Sequence, residues 1–158
     1  MSKYYNTART ALASLALTGL AACANLAQVP PGTPYGEVLT QFGQPNFECP
    51  QAGGGRRVIW TQQPMGQYAW GTNVGTDGRV GQVVPLLTDA HFKVLETGDW
   101  GPDRVRCEFG PPARIEEAGL GEKREVVWSY RYKENGVWNS LMYVYTVSYT
   151  HLTLPTKA

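Results

Sequence analysis

Residues 35–45 read YGEVLTQFGQP, and residues 102–112 read PDRVRCEFGPP. In each, a valine and a phenylalanine stand four apart, Val38 with Phe42 and Val105 with Phe109, so each pair shares one face of a short helix. Gly43 and Gly110 come next, suited to the left-handed position just past a helix end, and Pro45 and Pro112 forbid continuation. Phe-Gly-x-Pro is therefore a helix stop with its last core anchor attached. Phe42, Gly43, Pro45, Phe109, Gly110 and Pro112 are read as structural, and Pro102 is acceptable in a first helical turn.

The two stretches are related by a single offset of 67 residues, which carries Val38, Phe42, Gly43 and Pro45 onto Val105, Phe109, Gly110 and Pro112. With an offset of 68, Trp60 falls on Trp128, and Arg57-Val58-Ile59 before the first matches Glu125-Val126-Val127 before the second. Such self-similarity is the mark of an internal repeat. The chain reads as an α+β fold of two tandem repeats, each one or two short helices packed on a small antiparallel β-meander.

After each helix the hydrophobic period changes from about four to two. In WSYRYKENGVWNSLMYVY, residues 128–145, Trp128, Tyr130 and Tyr132 alternate with Ser129, Arg131 and Lys133, as a half-buried strand requires. Asn135-Gly136 predicts a two-residue hairpin turn. That turn would set Glu134 opposite Val137, Tyr130 opposite Leu141 and Lys133 opposite Trp138, a cation beside an exposed ring. In repeat 1 the strands flank Pro64-Met65-Gly66, and a turn at Thr76-Asp77-Gly78 leads into a third strand near residues 79–84.

Residues 88–97, TDAHFKVLET, predict a further helix in front of repeat 2, capped by Thr88, with Phe92 and Leu95 inward and Gly98 as its stop. The matching place in repeat 1, residues 25–32, contains Pro30 and Pro31 and reads as a tether.

The N-terminus supplies a different kind of signal. Lys3 and Arg9 precede an uncharged run from Ala11 to Ala22, too short to span a bilayer as a helix, which needs about 20 residues. It reads as the apolar core of a secretory signal. Leu20-Ala21-Ala22-Cys23 follows and resembles a bacterial lipobox, which implies cleavage before Cys23 and its acylation. Ala24, in place of the aspartate that retains lipoproteins in the inner membrane, implies the periplasmic face of the outer membrane of a Gram-negative bacterium. Acyl chains at about 0.8 kcal/mol per buried CH₂ would make the anchor effectively permanent.

Removing 22 of 158 residues leaves 136, with 12 basic against 13 acidic side chains. That balance argues against a nucleic-acid or anionic-surface footprint. Cys49 and Cys107 remain in what would be an oxidising compartment, where they form either one disulfide or two free thiols. No Cys or His spacing marks a metal site, and no cofactor is expected. The last residues, 147–158, depart from the preceding composition and resemble translated adapter sequence. They are read as a non-native tail that truncates repeat 2 and leaves a bare sheet edge. The expected organisation is thus a signal at 1–22, a lipidated tether at 23–32, repeat 1 at 33–86, repeat 2 at 87–146 and the tail at 147–158.

The motif Val105-x-x-x-Phe109-Gly110-x-Pro112 with the Trp128 strand, the Thr76-Asp77-Gly78-Arg79-Val80 turn and the lipobox together resemble the SmpA/OmlA (BamE-like) outer-membrane lipoprotein family, here in two copies across about residues 32–147. The resemblance implies a non-catalytic periplasmic module that binds a protein or lipid partner, such as the β-barrel assembly machinery, and supports outer-membrane assembly or envelope integrity. Two helix-plus-sheet units are also similar to the β-lactamase inhibitor protein fold, which implies an aromatic sheet surface laid on a periplasmic enzyme. Tyr68, Trp70, Tyr132 and Trp138 are the candidate partner-binding residues under either reading. Catalysis is not expected: His91 and His151 are the only histidines, no nucleophile elbow, phosphate loop or HExxH is present, and Glu116-Glu117 reads as a solvated loop. A Cys107 nucleophile with a His91 base is the one conceivable pair.

Overall fold

Helix α1, Tyr35–Phe42, buries Tyr35 and Val38, and it stops where Gly43 takes φ 78 and ψ −176. Helix α3, Pro102–Phe109, buries Val105 and Phe109 and stops at Gly110 with φ 82 and ψ −174. That combination of positive φ and extended ψ is essentially confined to glycine, so both glycines are required by the backbone itself. The two anchors differ in depth, however. Phe109 is completely buried, whereas Phe42 is only partly covered at the edge of the first core cluster.

The computed structural model describes residues 25–119, 125–146 and 152–157. The expected signal at 1–22, Cys23, and residues 147–151 with His151 lie outside them. Among the described residues the chain is α+β, with three α-helices and two four-stranded antiparallel sheets. Sheet 1 runs in the order β1 (Phe47–Pro50), β2 (Arg56–Thr61), β3 (Ala69–Val74) and β4 (Val84–Pro85). Sheet 2 runs β5 (Arg114–Ala118), β6 (Glu125–Glu134), β7 (Trp138–Thr146) and β8 (Leu152–Lys157).

Each sheet therefore has four strands where a three-stranded meander was expected. The strands that periodicity did not announce, β1 and β5, are short edges with little apolar alternation. Glu116 and Glu117 are solvated as expected, but they pair with Val127 and Val126 and so belong to a strand rather than a loop. The expected third strand at residues 79–84 is reduced to bridges, Pro34 with Arg79 and Val74 with Val80, before the two-residue β4. The expected bare edge beside β7 is taken by β8, which pairs Thr146 with Leu152 and Met142 with Lys157.

The hairpin also departs from its sequence reading. Its register pairs Glu134 with Trp138, Lys133 with Asn139, Tyr130 with Met142 and Trp128 with Val144. Asn135 and Gly136 do adopt positive φ, 51 and 74, but Val137 joins the turn and shifts every partner by one. A one-residue slip would ordinarily invert a strand's faces. β7 shows that inversion, burying Met142 and Val144 instead of Leu141 and Tyr143. Lys133 consequently does not meet the Trp138 ring; its ammonium donates to the Val137 carbonyl at 3.2 Å.

Sheet 1 is covered on both faces, which explains why Arg57, Val58, Ile59, Trp60 and Thr61 are all buried. Val58 and Trp60 face one way, into a cluster with Val38, Val74, Val80 and Val83. Ile59 faces the other way, into the larger cluster of Leu86, Phe92, Val105, Phe109, Trp128, Tyr130 and Tyr132. The order of layers is α1, sheet 1, the helices of the second half, then sheet 2.

The helix in front of α3 starts as expected at Thr88, whose hydroxyl accepts from the His91 N–H at 3.1 Å. It makes only one α-helical stretch, α2 (Asp89–Phe92), and continues as a 3₁₀ turn, Lys93–Glu96; Phe92 and Leu95 are buried as expected. Residues 25–32 are not a free tether. They hold a 3₁₀ turn at Leu26–Gln28, bury Val29, and dock through the Gly32 N–H on the Val80 carbonyl at 2.7 Å.

Candidate functional site

Two places bring chemistry-bearing side chains together. The first lies between the halves of the chain, where α3 faces sheet 1. Strand β1 carries Cys49 and α3 carries Cys107, and their sulfurs are bonded with Cα atoms 5.9 Å apart. One residue along α3, Glu108 Oε1 accepts from Arg57 Nη2 of β2 at 2.9 Å and meets His91 Nε2 of α2 at 2.6 Å. Arg57 also donates to the Glu108 carbonyl at 3.2 Å and to Asn73 Oδ1 at 3.4 Å.

Burial is the largest influence on Glu108 and opposes its ionisation, but the His91 hydrogen bond and the charges of Arg57, His91 and Arg104 outweigh it. The carboxyl is held below its ordinary value. Burial pulls the Arg57 guanidinium down, with the Glu108 charge acting against it. Arg57 is 8% exposed, and its Nε has no hydrogen-bond partner among the described residues, so Glu108 supplies most of its compensation.

The sign of the pH effect follows from the lowered Glu108 pKa. Ionised Glu108 contributes stability above the ordinary value near 4.5, and that contribution is lost as pH falls through the depressed folded value. The urea midpoint should therefore drop in this acid range, and Glu108→Gln should flatten that limb of the curve. An acid limb that Glu108→Gln leaves unchanged would show that other carboxylates govern it.

This cluster does not form the conceivable Cys–His pair. The Cys107 sulfur is tied to Cys49, and the His91 ring nitrogen is engaged by Glu108. What the arrangement does is clamp one half of the chain to the other. Gln63 reinforces it, donating to the Arg131 carbonyl at 2.8 Å and accepting from the Arg131 N–H at 3.3 Å.

The second place is a cleft of about 430 Å³ whose wall is shared by both halves. Tyr68, just before β3, and Trp70, within it, stack with ring centroids 5.7 Å apart. Pro85 and Leu87 continue the apolar wall, Lys133 and Gly136 close it from the β6–β7 hairpin, and Asn25 and Ala27 close it from the N-terminal segment. Asp89 fixes the hairpin against α2: its Oδ2 accepts from the Asn135 N–H at 2.7 Å and its Oδ1 from the Tyr132 hydroxyl at 3.3 Å.

The four candidate partner-binding aromatics separate accordingly. Tyr68 is 43% exposed and Trp70 is half-buried, and together they line the cleft. Trp138 is 70% exposed at the hairpin tip beside the exposed Val137 but does not line the cleft. Tyr132 is 0% exposed and packs edge-on against Phe92 at 5.2 Å, so it is a core residue and no partner can reach its ring. Asp89 and Leu87 were not legible as site residues, because only the tertiary approach of the hairpin to α2 brings them to the cleft.

Among the described residues no helix is long and apolar enough to cross a membrane, and no group of three or more His, Cys, Asp or Glu side chains could hold a metal ion. Compared with protein-family models, with curated proteins and with solved structures, the chain matches none.

Proposed function

We propose that this chain is a lipid-anchored, non-catalytic binding module on the periplasmic face of the outer membrane, built as a tandem duplication and similar to the SmpA/OmlA (BamE-like) lipoproteins. The observation that carries the reading is the joint occurrence of the lipobox ending at Cys23 and the twice-repeated helix, glycine stop and sheet. The repeat gains support from two hydrogen bonds. Trp60 Nε1 donates to the Gly43 carbonyl at 3.0 Å, and the Tyr130 hydroxyl donates to the Gly110 carbonyl at 3.0 Å. An aromatic on the second strand thus seals the helix stop in each half.

Within this reading the two halves align with Trp60 on Tyr130 rather than on Trp128. Asn46 donates to the Ile59 carbonyl while Ala113 donates to the Ser129 carbonyl, so the partner of Trp60 is Tyr130, two residues further on. The sequence match of tryptophan to tryptophan is chemically plausible but structurally out of phase.

Under this reading the protein supports outer-membrane assembly or envelope integrity through a protein partner, and the cleft at Tyr68 and Trp70 is where that partner binds. A second reading, a binder or inhibitor of a periplasmic hydrolase similar to the β-lactamase inhibitor protein, is favoured by the cleft's shared construction from both halves. Crosslinked capture of the full-length chain from bacterial envelopes, with Cys23→Ala as control, separates them. Capture of the β-barrel assembly proteins that disappears in the control supports the first; capture of a soluble hydrolase that survives in the control supports the second. In either case Trp70→Ala should weaken the captured complex by about 2 kcal/mol or more, as loss of a central aromatic anchor does. Capture unaffected by Trp70→Ala would remove the cleft from the reading. A turnover abolished by His91→Ala or Cys107→Ala would overturn the non-catalytic assignment.

A further inference from the structure

We propose that the outer edge of sheet 2 is a self-recognition site, at which β5 pairs antiparallel with β5 of a second copy of this chain about Ile115. Strand β5 hydrogen-bonds to β6 on one side only and ends the sheet. All five of its residues are exposed, and Ile115 is 51% exposed in the middle of them. No further strand lies beyond β5 among the described residues, so its outer edge at Ile115 is open to the addition of another strand.

The order of charges selects the occupant. Arg114 and Glu116 flank Ile115 on the same face of the strand, close enough for Arg114 Nη1 to reach Glu116 Oε1 at 3.3 Å. In an antiparallel pair related by a two-fold axis through Ile115, each Arg114 lies opposite the other copy's Glu116, and Ile115 lies opposite itself. Both charge pairs are favourable and the one large apolar side chain is covered by its own kind. Moving the axis one residue, onto Glu116, would place two glutamates face to face. Charges at an edge commonly guard against pairing; here their order blocks that register and favours the one about Ile115. Pro112, two residues before β5, has no N–H to donate and limits the strip. A contact of one short strand per copy falls among the small, transient interfaces.

The pairing has a signature that reads register directly. In the full chain extracted in mild detergent, Ile115→Cys should crosslink to a covalent dimer under mild oxidation, because directly opposed residues bring their Cα atoms within about 5.5 Å. Glu117→Cys should not exceed the wild-type background, since its two copies would stand four strand positions apart, about 13 Å. Adding Glu116→Arg or Arg114→Glu to Ile115→Cys should lower the crosslink yield about tenfold by setting like charges opposite each other. Mixing those two variants should restore it, because each then meets its complement. Circular dichroism of each variant checks that the fold is retained. No dimer from Ile115→Cys, equal yields at positions 115 and 117, or a mixture no better than its components would each overturn the proposal.

Discussion

Phe109→Ala should destabilise the chain by about 3–5 kcal/mol, the usual cost of emptying a buried phenylalanine site. The corresponding Phe42→Ala should cost clearly less. Phe109 is 0% exposed and stands in the layer between the two sheets, with ring centroids 5.2 Å from Phe92, 5.9 Å from Tyr130 and 6.4 Å from Trp100. Two of those rings are themselves tethered, Tyr130 by its hydroxyl to the Gly110 carbonyl and Trp100 by its indole N–H to the Thr97 carbonyl, which limits relaxation into the void. Phe42 borders the smaller cluster and already shares its site with solvent. Urea unfolding of the two variants provides the comparison. Equal losses would mean that the two helix stops carry equal weight, as their sequences alone suggest, and that the four-layer order is wrong.

Opening the disulfide should have an effect of similar size. Cys49 and Cys107 are 58 residues apart, and closing a loop of that length restricts the unfolded chain by about 4 kcal/mol in the chain-entropy picture, with about 2–5 kcal/mol as the usual range. For a domain of this size that corresponds to a loss in melting temperature on the order of 10 °C. A double Cys49→Ala, Cys107→Ala variant measured by thermal denaturation gives the number. The bond joins β1 of the first half to α3 of the second, so its loss should also make unfolding less cooperative between the halves. A double variant that melts within a degree or two of the parent would assign the clamp to Glu108 and Gln63 instead.

Some of this was legible in a line of text because it depends on neighbours a few residues apart. The Val-x-x-x-Phe-Gly spacing requires a helix face, a buried anchor and a backbone that only glycine adopts, and both helices end at those glycines. Thr88 followed by Asp89 marks a helix start by the same local logic. Strand β6 was legible because its inner face is aromatic at every second position. Strands β1 and β5 were not, since their edges are held by backbone hydrogen bonds that leave little trace in side-chain pattern. The hairpin register failed for a related reason: Asn135-Gly136 fixes the positive backbone angles, but whether Val137 counts as turn or strand depends on what β7 buries.

The candidate site divides in the same way. Tyr68, Trp70 and Trp138 could be picked out by residue type, but type does not distinguish Trp138, 70% exposed, from Tyr132, 0% exposed on the neighbouring strand. The Cys49–Cys107 bond was open for want of a distance, and the Arg57–Glu108–His91 contact joins residues from three elements that no spacing connects. By itself the sequence determined the local grammar: two helices with glycine stops and the amphipathic strand that follows the second. Only the tertiary structure decided that the helices of the second half lie between the two sheets, because burying both faces of β2 is a property of how the halves meet. That meeting brings Arg57, Glu108 and His91 together, partly buried, and sets the hairpin across the cleft lined by Tyr68 and Trp70.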